Sequence, residues 1–110
     1  MNTFVGRMAA DPELRYSDAG NAWMGQSFAI EVRMKKDGEW VSETIWCDLK
    51  IFGKIAEHVA SHVSKGTRLI VQGNLQPSSY TNKDGQTVER LVLIAENVGL
   101  DLRFGLDYQE

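Results

Sequence analysis

Hydrophobic and polar positions alternate with period two through much of this chain, the pattern of strands that bury one face. Residues 2–8 read as a short first strand, and Asp11-Pro12 breaks it, because proline donates no ladder hydrogen bond. The cluster Ser17-Asp18-Ala19-Gly20-Asn21 reads as a turn. Over 24–35, Met24, Phe28, Ile30, Val32 and Met34 share one parity; Trp23, Ser27, Ala29, Glu31, Arg33 and Lys35 share the other. Asp37-Gly38 follows, two residues that tolerate positive φ, so a tight hairpin is expected. Over 40–52, Ile45, Cys47, Leu49 and Ile51 form a core face, while Trp46, Asp48, Lys50 and Phe52 point away from it.

Helical spacing takes over after Gly53, with Ile55, Ala56, Val59, Ala60 and Val63 on one stripe. Lys65 is expected in the last helical turn and Gly66 as its left-handed stop. A fourth strand is expected over 67–76, with Leu69, Val71 and Leu75 inward, and Asn82-Lys83-Asp84-Gly85 as a second hairpin tip. The fifth strand, 86–102, is apolar on both parities from Leu91 to Val98, which predicts burial on both faces. Three strands, one helix and two strands predict an all-β fold with one helix. The best match is the five-stranded Greek-key barrel of an oligonucleotide/oligosaccharide-binding (OB) fold, its helix between the third and fourth strands. A chain of 110 residues fits one such domain, assigned to 1–105, with 106–110 as a short remnant.

Composition narrows the function classes. Hydrophobic residues at 43% and charged residues at 25% exclude wholesale disorder. No apolar run approaches the roughly 18 residues of a membrane span, and the N-terminus lacks a signal-peptide pattern. A single cysteine, Cys47, allows no intrachain disulfide, so a cytoplasmic setting is expected. The net charge of −3 shows no global attraction to a polyanion, so any nucleic-acid site must be a local basic patch.

That patch has candidates. Trp46 and Phe52 lie off the core parity, with Lys50 between them. Arg33 and Lys35 share the noncore parity of the neighbouring strand; Lys36 and Lys54 stand close in sequence, and Tyr80 and Lys83 flank the second hairpin tip. Unpaired bases stack on exposed rings while cations follow the phosphates, so aromatics interleaved with cations suit single-stranded nucleic acid. Pattern alone leaves other readings for Trp46 and Phe52, a subunit interface or a position under a loop. For Lys35-Lys36 the alternative is a plain solvated hairpin tip.

Several segments resemble bacterial single-stranded DNA-binding proteins over nearly the whole chain. Phe4-Val5-Gly6-Arg7 and Asp11-Pro12-Glu13-Leu14-Arg15-Tyr16 are similar to that family's VGxLxxDPExRY start. Phe52-Gly53-Lys54-Ile55-Ala56-Glu57 resembles its FGKLAE motif, and Lys65-Gly66 with Val71-Gln72-Gly73-Asn74-Leu75 resembles its KGxxVxVxGxL strand. The resemblance implies a homotetramer that wraps single-stranded DNA during replication, recombination and repair, with Trp46, Phe52 and Tyr80 as stacking residues. Phosphate contacts are assigned to Arg33, Lys35, Lys36, Lys50, Lys54 and Lys83, and more weakly to Arg7, Arg15 and Arg90. The family's further tryptophan has no counterpart in Arg33-Met34-Lys35-Lys36, and Trp40, just past the turn, is its candidate substitute. The family's flexible linker and acidic tip do not appear before Glu110, which leaves two readings open, a truncated or divergent version such as a phage or plasmid form, or one that recruits its replication and repair partners differently.

Enzymatic readings find little footing. No P-loop, G-x-G-x-x-G or triad pattern occurs, and neither catalysis nor a cofactor is expected. His58 and His62, four apart, read as a solvated helix face for want of a third ligand. Cys47 reads as a buried, inert thiol and Asp84 as a turn residue. Besides a DNA binder, an RNA-binding or primosomal OB protein and a protein-interaction module remain open.

Two departures from the family weaken attraction to phosphate: Asp48 on the outward face, and Gln76-Pro77-Ser78-Ser79 in place of a basic stretch. Affinity for oligonucleotides should therefore fall less steeply with salt than in basic relatives, since the slope counts neutralised phosphates. Titration across salt concentrations checks this, and an unusually steep slope would defeat it.

Overall fold

In the computed structural model, which describes residues 1–103 and Gly105, the alternating segments become strands. These are β1 (Asn2–Met8), β2 (Leu14–Tyr16), β3 (Ala22–Lys36), β4 (Glu39–Phe52), β5 (Arg68–Thr81) and β6 (Thr87–Leu100), with one helix, α1 (Lys54–His62), between β4 and β5. The strands pair in the order β1-β5-β6-β4-β3, and β1 returns to pair with β3 through Gly6–Ile30 to Met8–Phe28. That last pairing closes a five-stranded barrel. Only the β4–β6 contact is parallel. The expected OB architecture is thus present, with one addition: the three-residue β2 pairs along the start of β3.

The predicted core parity holds. Met8, Met24, Phe28, Leu49, Ile51, Leu69, Val71 and Leu93 are the largest fully buried side chains. Ala56 and Val59 carry α1 onto that core, and Ile55, Ala60 and Val63 pack at its margin. Asp37 and Gly38 both adopt positive φ, 52° and 82°, so a two-residue turn joins β3 to β4. Past Arg33 and Ser42 the two strands leave the barrel, and residues 35–40 are all exposed. Gly73 sits at a β-bulge, where β5 register shifts against β6. A Cβ there would fall 2.1 Å from the Ile94 carbonyl oxygen, so only glycine permits this approach of the two strands.

Four expectations change. The helix ends at His62, and Val63 caps it in extended conformation, so Lys65 and Gly66 belong to the following turn. The fourth predicted strand runs on to Thr81, because it pairs with β6 along its whole length. The fifth predicted strand ends at Leu100. Within it only Val92 and Leu93 of the 91–98 run are buried, since Leu91, Glu96 and Asn97 face open solvent. The remnant 106–110 lies outside the described residues.

One ion cluster lies on the barrel wall. Arg68, 6% exposed, donates to Glu31 through Nη2 and to Asp101 through Nε at 3.3 Å. Arg103 reaches the same Glu31 oxygen at 3.1 Å. A guanidinium sealed this far needs its partners, because an unpaired buried charge is strongly destabilising. The hydrogen bond from Arg68 lowers the Glu31 carboxyl below its ordinary value of about 4.5, against an opposing push from burial. The unfolded chain then takes up this proton at higher pH than the folded chain. The contribution is complete above about pH 4.5 and is lost as pH falls through the lowered value. Glu31→Gln should melt at lower temperature than the wild type at pH 7. The difference should shrink as melting is repeated toward pH 3.

Candidate nucleic-acid interface

The register of β3 against β4 sets the site. Trp23 lies opposite Phe52, Gly25 opposite Lys50, Ser27 opposite Asp48, Ala29 opposite Trp46, and Lys35 opposite Trp40. These pairs share the parity opposite the core face, with Ala29 itself covered there. At about 3.3 Å per residue, Trp40, Trp46 and Phe52 recur roughly every 20 Å along one strand. Trp40 is 64% exposed, Trp46 60% and Phe52 52%. Such exposure forgoes on the order of 1.5–3 kcal/mol of burial for each ring.

Each ring has its own company. Near the base of the ribbon, Trp23 and Phe52 line a cavity of about 680 Å³ with Lys50, Ser17 and Asn21. Gly25 keeps that space clear: a Cβ there would stand 3.3 Å from the Trp23 ring and 3.9 Å from the Lys50 stem. Arg15 on β2 reaches across with its guanidinium 5.5 Å from the Trp23 centroid. At the ribbon's tip, Arg33 and Lys35 flank Trp40 at 5.4 and 6.0 Å, both within cation–π range.

Trp46 occupies the middle, between two grooves. One, of about 410 Å³, is also lined by Arg7 and Lys65. The other, of about 510 Å³, brings in Asp48 and Arg90. There Arg90 Nε and Nη2 donate to Asp48 Oδ2 and Oδ1 at 2.7 and 2.9 Å. Tyr80, half-exposed on β5 opposite Val88, is a diagonal cross-strand neighbour of Arg90. These partners raise the guanidinium pKa further, Asp48 contributing most.

The remaining sequence candidates scatter. Lys36 is on the opposite parity from Lys35 and pairs with Glu43 at 2.7 Å, off the aromatic face. Lys54 opens α1 beside Phe52, and Lys83 sits exposed at the β5–β6 tip. Arg15, besides its contact with Trp23, pairs with Glu13 at 3.1 Å. Trp23 and Lys65 join the site without having been singled out from the sequence. Trp23 carried one available signal, its noncore parity on the strand. Lys65 had none, because its place beside Trp46 depends on how the barrel closes.

Cys47 faces inward beside Leu49 and is buried. Burial, with a smaller push from the Asp48 charge, raises its thiol to about 11, the state of a packing residue rather than a nucleophile. His58 and His62 are both exposed, and the His62 Nδ1 bonds the His58 carbonyl oxygen at 2.7 Å. No helix among the described residues is long and apolar enough to cross a membrane.

Comparison with known proteins agrees with this architecture. Residues 2–101 match the single-strand binding protein family. A single-stranded DNA-binding protein of Paenarthrobacter aurescens is 33% identical over 105 residues, 93% of this chain and 61% of that protein. One from Treponema pallidum is 34% identical over 96 residues, 87% of this chain and 54% of that protein. Single-stranded DNA-binding protein 2 of Clostridium acetobutylicum is 36% identical over 104 residues, covering 94% of this chain and 76% of the relative. The chain thus spans 54–61% of the first two relatives' length. Among solved structures, the small single-stranded DNA-binding protein of Streptomyces coelicolor superposes with a TM-score of 0.77. It shares 22% identity, and the match covers 96% of this chain and all of that one. By the match of almost its whole length, and by the barrel it builds, this chain belongs to the single-strand binding protein family.

Proposed function

We propose that this protein binds single-stranded DNA without sequence preference and shields it during replication, recombination and repair. The observation that carries this is the row of outward rings on β3 and β4. Trp23 and Phe52, then Trp46, then Trp40 stand on one face with Lys50, Arg33 and Lys35 among them. Bases stack on those rings, and Tyr80 adds another from β5. Arg7, Arg15, Arg33, Lys35, Lys50 and Lys65 follow the phosphates, with Lys54 and Lys83 at the margins. The rings themselves impose no sequence preference, because a flat ring accepts every base alike. The activity is binding without chemistry, in the compartment that holds the DNA.

We also assign the chain to a homotetramer. Ile70 on β5, and Leu91, Leu100 and Leu102 on β6 and after it, are exposed apolar residues that burial between subunits would take out of water. Light scattering with and without a long oligonucleotide reports subunit number and stoichiometry together; a monomer in both conditions would refute the assembly.

Adding poly(dT) should quench tryptophan emission, and a matched RNA strand should quench it less. Trp46→Ala should weaken binding by roughly 1–3 kcal/mol, as expected for loss of one base–ring stack. Its melting temperature should stay near that of the wild type, because the ring is mostly exposed. Trp23→Ala should weaken binding in the same direction. Unchanged fluorescence together with no gel shift would instead make the exposed rings a protein interface.

A further inference from the structure

We propose that Arg90 is a phosphodiester-binding residue held in reserve, its guanidinium kept from a bound strand's phosphates by the chain's own Asp48 carboxylate. This rests on the nucleic-acid reading above and adds a specific subsite to it. The two parallel bonds from Arg90 Nε and Nη2, 2.7 and 2.9 Å long, use the fork by which guanidinium also takes phosphate. Asp48 presents to that fork the same pair of anionic oxygens that a phosphodiester would.

The position fits the role. Asp48 on β4 lies in register with Val92 on β6, and Arg90 is two residues before Val92 on the same face. The pair lines one groove with Trp46, so a base stacked on that ring carries its phosphate past Arg90. The Arg90 side chain is 48% exposed, open to an incoming anion. With Arg90 half in water, the pair is screened and ties β4 to β6 less firmly than a sealed pair would. Arg68 makes the contrast: it is nearly sealed and held by two carboxylates across the barrel wall.

While the pair is closed, Arg90 neutralises no phosphate and Asp48 repels one. Removing the carboxylate charge should free the guanidinium. The test titrates an oligo(dT) of about 12 nucleotides, within the span of one barrel, across salt concentrations. It uses the wild type, Asp48→Asn, Arg90→Gln and the double variant. Asp48→Asn should bind several-fold tighter at low salt, and its log–log salt slope should steepen by about 0.7, one phosphate's share on a single strand. The steepening should vanish in the double variant, where no guanidinium remains to be freed. An unchanged slope for Asp48→Asn, or weaker binding, overturns the proposal, because Asp48 would then position Arg90 rather than block it. Should Asp48→Asn fail to melt as a folded protein, Asp48→Ser carries the same comparison. A wild type that binds no oligo(dT) would sink the single-strand reading and this subsite with it. A wild type that binds, with the slope unmoved by Asp48→Asn, sinks the subsite alone.

Discussion

Fourteen consecutive residue pairs join β3 to β4, from Trp23–Phe52 at one end to Lys36–Glu39 at the other. A two-residue turn at Asp37-Gly38 fixes that register, and the buried side chains of Met24, Phe28, Leu49 and Ile51 hold it. A slip by one residue would turn every side chain of the ribbon over, placing Trp46 and Phe52 in the core and Leu49 and Ile51 in water. The proposed binding face is therefore a by-product of core packing. Nothing on the outer face has to stabilise the arrangement of the rings, because the inner face already dictates it.

This division of labour explains how the barrel tolerates so much exposed aromatic surface. Eight large residues are fully buried, and closure through β1 leaves no long open edge in the barrel itself. The charges are divided in a similar way. The sealed Arg68 cluster ties β3 and β5 to the segment after β6, and it counts toward stability. Arg15, Arg33 and Lys35 stand over rings at the surface, where the proposed function assigns them to the ligand. A net charge of −3 is compatible with the proposed polyanion partner because the cations assigned to it are gathered along one ribbon and its neighbours.

Much of this was legible from sequence because it is local. The parity of Ile45, Cys47, Leu49 and Ile51, the Asp37-Gly38 turn and the helical stripe each depend on residues within a few positions of one another. What escaped depends on pairs far apart in the chain. Trp23 gains its place only from its pairing with Phe52, and Arg68 is read as structural only when Glu31 and Asp101 are beside it. Arg90 read as a weak phosphate ligand because its distance from Asp48, 42 positions along the chain, hid the pair. The apolar run of β6 misled for the opposite reason: local hydrophobicity suggested two buried faces, whereas the barrel supplies cover for only part of one strand. Helix termination was misplaced because Gly66 was a conspicuous stop signal, while Val63 ends α1 simply by turning extended.

Cys47 sits directly behind this ribbon, between Trp46 and Asp48 in sequence but on the inner side of the wall. It is the sole sulfhydryl in the chain, and its raised pKa keeps it protonated while packed. A thiol-directed label can reach it only when β4 parts from its neighbours. The protein thus carries an intrinsic clock for the breathing of its own barrel, readable without engineering a probe and with no competing cysteine to confuse the signal.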